Sequence, residues 1–347
     1  MKSFEDLSYR GQVDRLKAMG EEALREFGVR SPSLKHIAHA ENTTFEVRSS
    51  RGGVGRAPRG PYVPGRYLLR IHRPGYQSES SVRSELKWLA ALRRDLDLHV
   101  PDPVVGHRGR STVVVGVEGV PEERVCSLLR WMDGSQKGKK GERPVHVRHV
   151  GSVMAKLHAH ASAWRRPAAF DRGSWDWKGL FESAGAAGTD ESWVWDALGE
   201  KERRLYELSA RNTADAVDEL GDGGDAVGLI HADLHLGNVL FGGGEARPID
   251  FDDAGFGYWL YDMAVVLHDY RRREDWAVWR DALLKGYAAE RPLPEGVDQH
   301  LDTFMCARCV SLMLWCHARA RENPHFRKHL KTWVDWSIEY LSEFCSE

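Results

Sequence analysis

The sequence predicts an α+β protein of two lobes: a small, mainly β lobe over residues 1–132 and a larger, mainly α lobe over residues 133–347. Length is the first observation, because 347 residues are more than one hydrophobic core usually organises. The second is the order of the patterns. Short apolar runs typical of strands lie in the first part of the chain, whereas helical periodicity dominates the part after residue 147.

Two helices and four strands are predicted for the first lobe. Residues 12–27 carry apolar side chains at helical intervals and predict an N-terminal helix. Residues 48–66 are rich in glycine, proline and arginine, and they predict a mobile hairpin extension. They lack the Gly-Lys-Ser/Thr ending of a phosphate-binding loop, although a contact with nucleotide stays an alternative. The predicted strands cover residues 43–47, 67–71, 112–117 and 125–131.

A carboxylate on an apolar helix face is the next notable feature. Residues 78–96 predict a helix, and Glu85 lies on its apolar stripe, three residues after Val82. An inward-facing carboxylate needs a partner. Arg70 in the preceding strand is the candidate, so the sequence predicts an Arg70–Glu85 ion pair. A purely structural pair is the alternative to a functional one.

The most informative segment is residues 228–257. Residues 239–241 form an apolar run, three glycines predict a turn, and the chain then leads back to Asp250. Because residue 244 is the midpoint, Asn238 is predicted to lie beside Asp250 at the open end of this hairpin. Asp233 precedes Asn238 by five residues. One carboxylate could accept a proton while a carboxylate and an amide oxygen hold a hard cation, as phosphoryl transfer from Mg-ATP requires.

A known catalytic-loop pattern occurs in the same segment. Residues 231–238, HADLHLGN, fit H-x-D-L-x-x-x-N, and residues 250–252 stand where a protein kinase has D-F-G. On these motifs the chain resembles the aminoglycoside phosphotransferase superfamily, which also includes homoserine kinase of the second type, choline kinase and bacterial stress-response kinases. The resemblance extends from about residue 38 to about residue 270, and it implies a two-lobe, protein-kinase-like fold.

The resemblance also implies roles for single residues. Asp233 would be the catalytic base, Asn238 and Asp250 the magnesium ligands, and His231 a brace for the loop. The strand position of Arg70 is normally a lysine that reaches the ATP phosphates and pairs with a helix glutamate, here Glu85. Arginine keeps the charge but changes the geometry. The alternative phosphate contacts are His72 and Arg73, and the matching linker positions place the carbonyl of Arg130 and the amide of Met132 against adenine.

The interval after the metal aspartate bears on the substrate. Asp262 follows Asp250 by only twelve residues, and protein kinases place a long peptide-binding activation segment there. The short interval favours a small hydroxylated acceptor, although kinase-like stress proteins keep a protein acceptor open. Asp262 itself could cap a helix, and the resemblance implies instead that it ties that helix to the catalytic loop.

Several residue clusters, including the loop histidines, admit a second interpretation. His231, Asp233 and His235 could form a zinc cluster, but the nearby oxygen ligands suit magnesium better. Cys306 and Cys309 have a C-x-x-C spacing without a second pair, so with Cys316 they predict a buried helix face. The acidic pair at residues 252–253 predicts a solvated turn or a helix cap.

Composition limits the partners. With 49 basic and 51 acidic side chains, the chain shows no general signature of nucleic-acid binding. The sequence shows no apolar signal core and no run of membrane-spanning length, which predicts a cytoplasmic location without a membrane partner. The predicted function is an O-phosphotransferase using ATP and Mg²⁺, with an antibiotic or other secondary metabolite, an amino alcohol or a sugar as acceptor. The alternatives are a nucleotide-binding pseudokinase, suggested by Arg70 and the missing glycine-rich loop, and a stress-response Ser/Thr protein kinase.

Overall fold

The computed structural model describes residues 3–4, 6–40, 42–50, 54–55, 58–182 and 196–345. By the packing of its Cα atoms the chain divides into two compact units. One comprises residues 1–135 and 167–171, and the other comprises residues 136–166 and 172–347.

An antiparallel sheet organises the first unit. Its strand order is β1-β2-β3-β6-β4, and β5 also pairs with β6. The elements are α1 (Tyr9–Phe27), β1 (Pro32–His39), β2 (Asn42–Ser49), β3 (Tyr62–His72), α2 (Glu79–Asp95), β4 (Asp102–Pro103), β5 (Thr112–Val115) and β6 (Arg124–Met132).

Helix α1 covers one face of this sheet. Ser8 caps its start by accepting a hydrogen bond from Gly11 N, and Gly28 ends it with a left-handed φ of 79°. Between these caps, buried side chains such as Leu16, Met19 and Leu24 pack against strand residues to form the core of the unit. The residues of β3 that alternate with this core face, Arg70 among them, point to the other side of the sheet.

Helices dominate the second unit. Among the described residues, two small sheets accompany them: the β9–β10 hairpin, and a three-stranded sheet in the order β7-β11-β8. The elements are α3 (Pro144–Ala163), β7 (Ser174–Trp175), α4 (Glu200–Leu220), β8 (Val227–Ile230), β9 (Val239–Gly242), β10 (Glu245–Pro248), β11 (Gly255–Tyr258), α5 (Trp259–Leu267), α6 (Trp276–Ala288), α7 (Val297–Glu322) and α8 (Pro324–Phe344).

Two glycines let α3 and α6 approach closely. A Cβ at Gly151 would collide with the main chain of Leu283, and a Cβ at Gly286 would collide with the main chain of Arg148. The absence of side chains at this crossing brings the two helix backbones into contact.

The predicted N-terminal helix, the helix after residue 78 and the four predicted strands are all present. Two features of the first unit differ from the sequence-based expectation. Strand β1 was missed because its side chains alternate between half-buried and exposed without a strong apolar pattern. The extension at residues 48–66 is shorter than predicted, since β2 continues to Ser49 and β3 begins at Tyr62. Within it, residues 51–53 and 56–57 lie outside the described residues. In the part of the chain that the structure describes, no helix has the length and apolar character needed to cross a membrane.

Candidate active site

The β9–β10 hairpin is built on a two-residue glycine turn. Gly243 and Gly244 both have left-handed backbones, with φ of 61° and 82°, which matches the type I′ turn favoured between antiparallel strands. Gly242 pairs with Glu245 and belongs to the ladder rather than to the turn. The predicted hairpin is therefore confirmed, but its turn uses two of the three glycines.

This turn shifts the register by one residue from the predicted one. Asn238 faces Ile249, whose amide donates to the carbonyl of Asn238 at 2.8 Å, so the predicted pairing of Asn238 with Asp250 was wrong. Asp250 follows directly, at the same end of the hairpin. Its backbone is left-handed, with φ 64° and ψ 66°, an uncommon conformation for a residue with a side chain and one that clusters at functional sites.

Asp233 and Asn238 meet within the loop that follows β8. The Asn238 side-chain nitrogen donates to the carbonyl oxygen of Asp233 at 2.9 Å and to its carboxylate Oδ2 at 2.8 Å. Because both partners are acceptors, the nitrogen must be the amide atom that faces Asp233. The amide oxygen Oδ1 of Asn238 is therefore its remaining ligand atom.

A second side chain holds the other oxygen of this carboxylate. The Arg308 guanidinium, on α7, donates to Asp233 Oδ1 at 2.5 Å, and the imidazole Nε2 of His235 lies 3.5 Å from Oδ2. Burial acts to raise the pKa of Asp233, but the charge of Arg308 and the contact with His235 outweigh burial and hold that pKa well below its usual range. Asp233 is therefore ionised at neutral pH.

A buried aspartate fixes the main chain of the loop. Asp262, on α5, is fully buried and accepts hydrogen bonds from the amides of His231 at 3.0 Å and Ala232 at 2.6 Å. It also contacts Nε2 of His158 at 3.0 Å. These bonds confirm the expected tie between helix and loop. The capping alternative was wrong, since α5 begins after Tyr258 without a side-chain cap.

His231 braces the loop against the hairpin. Its Nδ1 accepts from the amide of Asp233 at 3.4 Å, which leaves Nε2 to donate to the carbonyl of Ile249 at 3.1 Å. Burial lowers the pKa of His231, so the ring stays neutral. Nδ1 of His235 accepts from the amide of Gly237 at 3.0 Å. Both ring nitrogens of His231 are thus bonded to the protein, so the zinc alternative loses this ligand. Among the described residues no group of three or more His, Cys, Asp or Glu side chains is arranged to hold a metal ion.

The predicted Arg70–Glu85 pair is present in the first unit. The Arg70 guanidinium donates to Glu85 Oε1 at 2.6 Å, and the two side chains are 2% and 0% exposed. The alternative phosphate contacts also have protein partners: His72 Nε2 lies 2.9 Å from the hydroxyl of Ser127, and the Arg73 guanidinium stacks on Tyr76. The ion pair itself is confirmed, and its role toward a nucleotide stays a prediction.

Arg130 and Met132 lie in the last residues of β6. Arg130 pairs with Asp102, and because Pro103 has no N–H, the hydrogen bonds of this ladder run between the main chains of Arg130 and Asp102. The carbonyl of Arg130 thus accepts a bond inside the sheet. The amide of Met132 points to the same edge of β6 as the main-chain groups of Arg130, because residues two apart in a strand share an orientation. Met132 lies past the end of the β4–β6 ladder, which stops at Arg130. The Arg130 side chain binds Asp102 Oδ2 at 2.9 Å and the carbonyl of Val54 at 2.7 Å.

Arg308 was not found by sequence reasoning. The available signal was a lone arginine within the continuously buried stretch of residues 304–310 of α7, since a buried cation in such surroundings needs an acidic partner. Cys306, Cys309 and Cys316 share this helix and are buried, as predicted. The acidic pair at residues 252–253 was expected in a solvated turn or at a helix cap. Both are wrong for Asp252: its side chain is buried, its carbonyl accepts from Arg172, and it lies inside a short helical turn.

Comparison with known proteins identifies the relatives of this chain. The family model described as the phosphotransferase enzyme family, APH, matches residues 33–299. The chain belongs to this family. Amicoumacin kinase of Bacillus subtilis (strain 168) is 23% identical to this APH protein over 256 residues, which are 72% of this chain and 66% of that enzyme. Homoserine kinase of Rhodopseudomonas palustris (strain ATCC BAA-98 / CGA009) is 27% identical over 266 residues, or 75% of this chain and 71% of that enzyme.

Solved structures agree with the APH assignment. A microcompartment-associated aminopropanol kinase superposes with a TM-score of 0.70 at 28% identity, covering 95% of both chains. Amicoumacin kinase hAmiN, in complex with AMP-PNP, Ca²⁺ and Ami, gives a TM-score of 0.71 at 17% identity, covering 94% of this chain and 96% of that one. The predicted family and the predicted protein-kinase-like α+β fold are both confirmed. This protein is thus a member of the APH phosphotransferase family. Its relatives include kinases named for small-molecule substrates.

Proposed function

We propose that this protein transfers the γ-phosphoryl group of ATP, with Mg²⁺, to a hydroxyl group of a small molecule. The observation that carries the proposal is the contact between Asp233 and Asn238, 2.8 Å from amide nitrogen to carboxylate. One loop thereby holds a carboxylate that is ionised at neutral pH beside an amide whose oxygen is left for a cation. Those are the two functions that phosphoryl transfer asks of a catalytic loop.

Asp233 is the group assigned to the acceptor. Its carboxylate accepts a hydrogen bond from the acceptor hydroxyl and takes the proton as the oxygen attacks the γ-phosphorus in line and ADP leaves. The low pKa of Asp233 makes it a weak base, so its larger contribution is to orient the hydroxyl before proton transfer. Oδ1 is the oxygen with room for a further hydrogen bond, because each carboxylate oxygen has about two acceptor positions. Oδ1 is contacted by Arg308, whereas Oδ2 is contacted by both Asn238 and His235.

Asn238 and Asp250 are the groups assigned to the metal. The oxygen donor set fits Mg²⁺, which binds amide and carboxylate oxygen in preference to nitrogen. The nitrogen of the Asn238 amide is held by Asp233, which turns its oxygen outward, and the left-handed backbone of Asp250 takes that residue out of the strand ladder. Bound Mg²⁺ neutralises charge on the β- and γ-phosphates.

Residues of the first unit are assigned to the nucleotide. Arg70, held by Glu85, supplies the phosphate contact that a lysine makes in most kinase-like proteins. The amide of Met132 is the proposed donor to adenine. The carbonyl of Arg130 would receive the adenine amino group through its second lone pair, since its first is used by Asp102.

The acceptor is proposed to be a small alcohol that carries an amine. Amicoumacin kinase, homoserine kinase and aminopropanol kinase are relatives whose names give an amine-bearing substrate. The chain here passes from Asp250 through a single turn into β11 and α5. That path has no room for the activation segment on which protein kinases hold a peptide. An antibiotic, an amino alcohol or an amino sugar fits this description.

A radiolabel screen tests the proposal. [γ-³²P]ATP and Mg²⁺ are incubated with L-homoserine, 1-amino-2-propanol, choline, kanamycin and, for the protein-kinase alternative, casein. Asp233→Asn is the matched control, because it keeps the shape of the side chain and removes the proton acceptor. We expect labelled product from at least one alcohol, and a loss of roughly 10²–10⁴ in turnover for Asp233→Asn. Nucleotide binding without labelling of any acceptor would favour the pseudokinase, and labelled casein alone would favour the protein kinase.

A further inference from the structure

Arg308 is a buried cation that the catalytic-loop motif does not include. It lies in the middle of α7, is 9% exposed, and is flanked on both sides by buried apolar residues such as Ala307 and Cys309. Burying an unpaired guanidinium among such residues is strongly unfavourable. Among the described residues, Asp233 is the acidic side chain that Arg308 contacts. The arginine and the proposed base therefore depend on each other.

The two oxygens of Asp233 are held from different directions. Arg308 donates to Oδ1 at 2.5 Å, and Asn238 donates to Oδ2 at 2.8 Å. With contacts on Oδ2 alone, from Asn238 and from the more distant His235 ring at 3.5 Å, the carboxylate could rotate about its Cβ–Cγ bond, where the torsional preference is broad. The Arg308 contact on Oδ1 removes this freedom. It fixes the plane of the carboxylate, and with it the directions in which a hydroxyl can be accepted.

The loop main chain has separate supports. Asp262 holds the amides of His231 and Ala232, and His231 holds the carbonyl of Ile249. These contacts fix the loop without Arg308. The contribution left to Arg308 is therefore the orientation of the Asp233 side chain rather than the path of the chain around it.

We propose that Arg308 is a positioning residue, which holds the carboxylate of Asp233 in the orientation that receives the acceptor hydroxyl. The inference rests on the proposed function, because it gives Asp233 the role of orienting that hydroxyl. It makes α7 part of the catalytic apparatus, although Arg308 lies 75 residues beyond Asp233 in sequence. Misorientation of a reacting group by about 1 Å can cost on the order of 10²-fold in rate.

A double-mutant cycle tests the inference. Arg308→Met removes the charge but keeps an unbranched chain, and Arg308→Lys keeps the charge. Arg271→Met is the matched control, because Arg271 also bonds a carboxylate of α7, Asp302, but at the surface. Turnover is measured with [γ-³²P]ATP, Mg²⁺ and L-homoserine or 1-amino-2-propanol, and with water as the acceptor if neither is phosphorylated.

The expected result is a loss in kcat that depends on Asp233. Arg308→Met should lower kcat by about 10–100-fold with the KM for ATP within about twofold, Arg308→Lys should recover part of the loss, and the control should be near wild type. In the Asp233→Asn background, Arg308→Met should cost less than about threefold, because the group it positions is gone. This double variant also avoids a buried unpaired carboxylate, so it can be studied even if Arg308→Met alone does not fold.

Two outcomes would overturn the inference. One is an equal loss from Arg308→Met in both backgrounds, and the other is a raised KM for the acceptor with kcat unchanged, since Arg308 would then bind the acceptor directly. Crystal structures of the Arg308→Met and Arg271→Met variants give a readout that needs no turnover: an Asp233 carboxylate in the same orientation in both would also reject the inference. Failure of the proposed function is distinguishable, because it appears in the wild type and does not depend on Arg308.

Discussion

Replacing Asp262 by asparagine is expected to loosen the catalytic loop at its anchor. Asp262 offers two oxygens to three donors, namely the amides of His231 and Ala232 and Nε2 of His158. Asparagine keeps the shape but offers one oxygen and one NH₂ group. If its oxygen accepts from Ala232 N, the nearer donor at 2.6 Å, its nitrogen opposes the amide of His231, and a buried N–H is left without an acceptor.

The magnitude follows from these contacts. A buried unsatisfied donor costs about 1–3 kcal/mol, and hydrogen bonds to a charged group are worth about 1 kcal/mol more than neutral ones. Asp262→Asn should therefore lower the free energy of unfolding by about 2–4 kcal/mol, which corresponds to roughly 4–16 °C in Tm for a unit of about 200 residues. Turnover should fall by about 10²-fold, because the loop that carries Asp233 is displaced.

Thermal and urea unfolding followed by circular dichroism, together with the phosphotransfer assay, would measure both effects. Asp302→Asn is the control, since Asp302 forms an exposed pair with Arg271 and such pairs contribute about 0–1 kcal/mol. If Asp262→Asn unfolded at the same temperature as this control and kept wild-type turnover, the loop would not depend on Asp262, and the reasoning would be refuted.

Three further predictions concern other parts of the protein. Glu85→Ala should destabilise the first unit by about 3–5 kcal/mol in urea unfolding because it removes the carboxylate that the buried Arg70 cation binds. Changing both Arg70 and Glu85 to methionine should restore most of that loss, and additive losses from the two positions would contradict this. Asp250→Asn should weaken Mg-ATP binding in calorimetry while leaving the Tm near wild type, so unchanged affinity would remove Asp250 from the metal site. Burial lowers the pKa of His158, His268 and His317 below the usual 6.5, so the unfolded chain binds more protons than the native protein below that pH. The free energy of unfolding should be highest above about pH 6.5 and should fall as the pH drops, by up to about 1.4 kcal/mol per pH unit for each such histidine. Equal free energies of unfolding at pH 7.5 and 5.5 would argue against this prediction.

Local patterns in the sequence predicted the parts of the site that are local in the chain. Short-range spacing of residue types in the sequence predicts three of these parts. They are the hairpin, the loop that carries Asp233 and Asn238, and the inward direction of Glu85. The one-residue error in register arose because the number of glycines that enter a turn depends on the twist of the paired strands, which three consecutive glycines do not reveal.

The contacts that sequence reasoning missed are long-range or lack an apolar pattern. Arg308 lies 75 residues from Asp233, and only the packing of α7 brings the two together. Strand β1 alternates between half-buried and exposed residues without strong apolar character, so its periodicity gave no clear strand signal. For Asp262 the sequence permitted two roles, a helix cap or a tie between the helix and the catalytic loop. Its hydrogen bonds from the amides of His231 and Ala232 decide for the tie.

The chain of hydrogen bonds from Tyr287 through His158 to Asp262 has a consequence for the motions of the protein. It links α6, α3 and α5 to the amides of His231 and Ala232. Those two amides can exchange with solvent only when this buried chain opens, and each of its members is packed inside the second unit. They should therefore exchange at the rate set by global unfolding of that unit. The catalytic loop then belongs to the slowest-exchanging part of the molecule, and any opening that admits a substrate must come from segments other than the one that carries the base.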